Sequence, residues 1–136
     1  MLKKLALSAL LLSLASSALA ELTVIVNPAN SSNLDSKTVQ RIFLGKDKKY
    51  ADGSESVPVN QSADSSIRQD FDDSILGRST SQVSAYWSKL VFTGKGIPPK
   101  EVMSDAEVIE LVSQNPSVIG YVDSSSVTDA VKVVNL

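Results

Sequence analysis

Runs of β-branched and aliphatic residues at 22–26, 118–122 and 131–134 are separated by stretches in which apolar residues recur every three or four positions. The first pattern suits buried strands, and the second suits helices with one apolar face. Strands that alternate with helices must pack in layers, because each element has an apolar surface to bury. The expected fold is therefore α/β: a single layered domain with a central mixed β-sheet flanked by about four helices.

The helix boundaries carry their own signals. Asp35 can cap a first helix, with Leu34 and Val39 at staple spacing, Ile42 and Phe43 on the apolar face and Gly45 as the stop. A polar loop with an Asp52-Gly53 turn leads to a short strand at 57–59, where Pro58 suggests an edge or first position. A second helix is expected over 64–76, capped by Ser62 or Asp64 and stopped at Gly77. Ile67, Phe71 and Ile75 form its buried face, so Asp70, Asp72 and Asp73 should lie on a solvated one. A third helix begins at Ser79, boxed by Gln82, and carries Val83, Tyr86, Trp87, Leu90 and Val91 until Gly94 and Pro98 break it. For the fourth, Ser104 and Glu107 form a capping box and Met103 and Val108 a staple, and Asn115-Pro116 ends it.

The first twenty residues read as an address. Lys3 and Lys4 precede an apolar run at 5–14 and an Ala18-Leu19-Ala20 terminus, the layout of a secretory signal peptide cleaved after Ala20. That apolar run is too short to cross about 30 Å of hydrocarbon, so no membrane anchor is expected and the protein should reach the periplasm. The domain then occupies 21–136. It loses two of thirteen bases and none of fifteen acids, so its formal charge moves from −2 to −4. An acidic balance argues against nucleic acid, whose binding depends on clustered positive charge.

The chain has no histidine and no cysteine. A Ser-His-Asp triad, a thiol nucleophile, a disulfide and a His/Cys zinc site are thus excluded, and no lysine stands beside an identified nucleophilic serine. The residues point to binding rather than catalysis, and no cofactor is expected.

Chemistry concentrates at 59–68. A strand ends, small hydroxyl residues follow, and a helix begins with an arginine in its first turn. Helix N-termini present unpaired N–H groups and a partial positive charge. With the hydroxyls of Ser62, Ser65 and Ser66, the amide of Gln61 and the guanidinium of Arg68, this is donor chemistry suited to a tetrahedral oxyanion. A bland reading makes one of these residues a helix cap and Arg68 a solvated surface residue.

Several of these segments resemble the substrate-binding proteins of phosphate ABC transporters. The segments are Val26-Asn27-Pro28, the helix end Ile42-Phe43-Leu44-Gly45-Lys46, Ser65-Ser66-Ile67-Arg68 with Phe71, and Ile119-Gly120-Tyr121-Val122. Proteins of that family are two-lobed clamps that close on phosphate, and this chain is similar to one lobe, the second. The resemblance implies that Ser65 takes the place of the family's serine and Ser66 that of its glycine, with Ser66 contacting the ligand through its N–H. Ile67 stands where a threonine is usual, Gln61 where an arginine is usual, and Arg68 matches an arginine of many relatives. An alternative register makes Ser66 the serine and places Ser62 at the arginine. The implied ligand is inorganic phosphate or a similar oxyanion. The implied partners are ABC transporter membrane subunits or a second chain supplying the missing lobe. The alternative is an interaction protein that kept the lobe fold and docks a partner where the anion was.

Overall fold

The strands at 22–26 and 118–123 bury residues on both faces of the sheet, and helices cover both. A computed structural model describes residues 21–136, so the leader expected over 1–20 lies outside the described residues. In chain order the elements are β1 (Leu22–Val26), α1 (Ser36–Phe43), β2 (Val57–Gln61), α2 (Ser66–Phe71), α3 (Thr80–Phe92), β3 (Lys100–Val102), α4 (Asp105–Gln114), β4 (Val118–Asp123) and β5 (Lys132–Val134). α2 runs on into a π-helical turn over Asp72–Leu76. The sheet order is β3-β2-β4-β1-β5. β2 is parallel to β3 and β4, whereas β1 is antiparallel to β4 and β5. This is the expected mixed sheet with four α-helices.

Alternation along the strands divides the core in two. Val24, Val26, Ile119 and Tyr121 face α1, α2 and α3, where Phe43, Phe71 and Leu76 meet them. Ile25, Val118 and Val122 face α4, whose Val108 and Val112 complete the second cluster. Gly120 lets α4 lie against the sheet, because a Cβ there would come within 2.5 Å of Val108 Cγ1.

Several expectations need correction. β3 has only three residues, with Lys100 and Glu101 exposed, and its sequence offers no apolar alternation. β2 is an interior strand despite Pro58, which is tolerated because pairing with β3 begins only at Val59. The second helix starts at Ser66 with Ser65 as its cap, rather than near Asp64. Met103 is 76% exposed, so it does not act as a buried staple, and Glu107 accepts from the Met103 N–H instead of closing the box on Ser104. The remaining caps fall as expected: Asp35 on α1, Ser79 with Gln82 on α3, and Ser104 on α4.

The α1 cap makes the fold locally sensitive to acid. Asp35 accepts from the Thr38 N–H at 2.7 Å, and the Thr38 hydroxyl together with this N–H holds its carboxyl below the usual range. The folded state thus binds the proton more weakly than the unfolded chain, so the cap contributes above the ordinary carboxylate pKa and is lost as pH falls. Protection of the Thr38 amide against hydrogen exchange should decline between about pH 5 and pH 2. Asp35→Asn should remove that decline, and identical profiles in the two proteins would refute the assignment.

Candidate anion site at the β2–α2 turn

Because β2, β3 and β4 are parallel, their carboxyl ends share one edge of the sheet. Open α/β sheets bind ligands at this edge, where chain turns leave donors unpaired. The β2–α2 turn, the N-terminus of α4 and the Ser124–Ser126 turn all lie there.

Asp105 joins these segments. It accepts from Gln61 Nε2 at 2.7 Å, from the Asp123 N–H at 3.1 Å and from Ser126 Oγ at 2.7 Å. Gln61 is buried. Its Nε2 also donates to the Tyr121 carbonyl, and its N–H donates to the Tyr121 hydroxyl at 3.0 Å. Burial pushes the Tyr121 pKa up, so the hydroxyl stays protonated and donates to Asn60 Oδ1. The Gln61 amide nitrogen therefore fastens the end of β2 to β4 and α4.

The turn itself winds on Ser62, whose carbonyl accepts from the Ser65 N–H and from Ser65 Oγ. Ser65 Oγ in turn accepts from the Arg68 N–H at 3.2 Å and caps α2. Among the described residues, the N–H groups of Ala63, Ser66 and Ile67 make no hydrogen bond, and the Ser66 hydroxyl makes none either. Ser66 is exposed and Ser62 half-buried. Sequence reasoning thus selected a turn with unspent donors, although Ser65 uses its hydroxyl for the cap.

Arg68 matches neither the solvated nor the ligand-facing expectation. It is 2% exposed, its Nε donates to Asp72 Oδ2 at 2.8 Å, and one terminal nitrogen donates to the Gln61 carbonyl and to Glu101. Its charge lies beneath the turn and is offset there. Asp72, expected on a solvated face, is fully buried, while Asp70 and Asp73 are exposed. Burial pushes the Asp72 carboxyl above the usual range against the pull of Arg68, and its Oδ1 has no donor among the described residues. The i, i+4 spacing of Arg68 and Asp72 was the signal for this pair, because it places both side chains on one helix face. Glu101, Asp105 and Tyr121 carried no such local signal.

A five-stranded mixed sheet covered on both sides, with an open turn at its carboxyl edge, is the fold found in about half of the chain of several solved phosphate receptors. An ABC-type phosphate transport receptor from Vibrio cholerae is 22% identical, with a TM-score of 0.65 over 84% of this chain and 45% of its own. A phosphate ABC transporter substrate-binding protein with bound phosphate from Clostridium perfringens is 20% identical, with a TM-score of 0.67 over 84% and 44%. PstS from Borrelia burgdorferi is 16% identical, with a TM-score of 0.63 over 84% and 46%. The chain therefore spans less than half the length of each. No protein-family model matches the chain, and no curated protein sequence does. Among the described residues no helix is long and apolar enough to cross a membrane.

Proposed function

We propose that this protein is a periplasmic binding lobe that receives phosphate or a similar tetrahedral oxyanion on the β2–α2 turn, as a non-catalytic component of phosphate ABC transport. The observation that carries this reading is the set of unspent donors at the carboxyl edge: the N–H groups of Ala63, Ser66 and Ile67 and the Ser66 hydroxyl. The fold it shares with phosphate receptors points the same way. Arg68 acts from below by holding the Gln61 carbonyl and so fixing the turn, since its charge is offset by Asp72 and Glu101. Neutral donors in an open turn attract an anion weakly, and the expected dissociation constant is on the order of 1 mM. A second wall from a transporter membrane subunit or another chain would exclude water and tighten binding. Asp64 is exposed beside the donors and favours an oxyanion that carries a proton, hence phosphate over sulfate.

The test is an amide-shift titration with phosphate. Ala63, Ser66 and Ile67 should move together and saturate, with sulfate producing smaller changes. A second reading, a lobe that docks a partner in place of an anion, is favoured by the internal pairing of Arg68. Silence of those three amides would favour it.

A further inference from the structure

Trp87 lies at the other end of β2, where two hollows of about 640 and 350 Å³ adjoin. Gly45, Lys48, Trp87 and Ile97 line both, which makes them one groove. The indole is its floor and is bracketed by bare backbone. A Cβ at Gly45 would come within 2.8 Å of the ring, and one at Gly96 within 3.1 Å. Ile97 stands on the rim 90% exposed, and Phe92, at the end of α3, is 94% exposed.

The rim is basic in a chain whose described part is acidic. Lys48, Lys95 and Lys100 line the groove, are exposed, and make no ion pair among the described residues. Of the carboxylates beside them, Asp47 is engaged by Arg41, which leaves Glu55.

From these features we infer that the groove docks an acidic peptide segment of a partner protein. An apolar side chain of the segment seats against Trp87 and Ile97, and its carboxylates meet Lys48, Lys95 and Lys100. The volume is far larger than a tetrahedral anion needs, and a bilayer surface cannot enter a hollow. This surface stands apart from the turn after β2, so its function is independent of anion binding there.

The test selects a random displayed dodecapeptide library on the intact protein, then titrates the enriched peptides while following tryptophan emission. Trp87 is the sole tryptophan, so the signal reports this groove alone. The expected consensus is an apolar residue flanked by Asp and Glu. Binding should shift the emission and weaken at least about tenfold in Lys48→Glu/Lys95→Glu and in Ile97→Asp, all exposed positions, while Ser66→Pro leaves it unchanged. The inference is overturned by no enrichment, by neutral or basic peptides, by equal binding to the lysine variant, or by binding that leaves the emission unmoved. Sedimentation with phosphatidylglycerol vesicles that depends on Phe92 and Ile97 would also overturn it, by assigning the surface to a membrane.

Discussion

Asp72→Ala should cost about 3–5 kcal/mol, because it strands the Arg68 charge in the core without its carboxylate. The two side chains are 3% and 0% exposed, so water cannot take over the lost interaction. Against a typical domain stability of about 5–15 kcal/mol, urea unfolding should show a large drop in midpoint. Arg68→Met/Asp72→Leu, which removes both charges and keeps the volume, should recover most of the loss. The contrast between these variants isolates charge burial from packing. A cost below about 1 kcal/mol for Asp72→Ala would mean that the pair is solvated, as exposed ion pairs are. Asp72→Asn retains the shape and leaves Arg68 with only the half-exposed Glu101 to offset its charge beneath the turn, so the folded fraction should bind phosphate more tightly than the parent.

Phe71→Ala should be comparably damaging, at about 3–5 kcal/mol. The ring stacks on Tyr121 at 3.9 Å between centroids, with planes 4° apart, and meets Phe43 at 4.6 Å. It joins α2 to both α1 and β4, so its removal opens a cavity where three elements converge. Phe71→Leu should cost markedly less, since it fills most of the volume and loses chiefly the aromatic geometry, about 0.5–1.5 kcal/mol per pair. Both are measured by the same unfolding titration. Equal losses in Leu and Ala would indicate that ring stacking, rather than volume, dominates.

Much of the fold could be read from local patterns because its signals are local. Capping residues sit within a turn of the helices they start, and the β-branched and aliphatic runs at 22–26 and 118–122 mark buried strands by themselves. What escaped notice depends on partners far away in sequence. β3 is a strand because β2 offers it a parallel edge, not because of its own residues. Asp72 turns inward because the π-helical turn spaces Phe71 and Leu76 five residues apart, a shift that a four-residue period misses. In the candidate site, the serines and the helix start were visible. The commitment of Gln61 to Asp105 and Tyr121, 44 and 60 residues away, was not. Polar residues at a turn announce donors, but only the tertiary structure says which donors are already spent.

The central claim, that the β2–α2 turn takes an oxyanion through its backbone donors, is tested most directly by titrating phosphate calorimetrically into residues 21–136 and into the Ser66→Pro variant of the same span. Ser66 is the first residue of α2, where proline is well tolerated, and Ser65 before it is already extended, so the substitution deletes one N–H and one hydroxyl without unwinding the helix. The account predicts saturable binding on the order of 1 mM, weaker for sulfate, and lowered at least about tenfold in Ser66→Pro. No saturable heat with the parent protein, or undiminished binding to the folded variant, would contradict it.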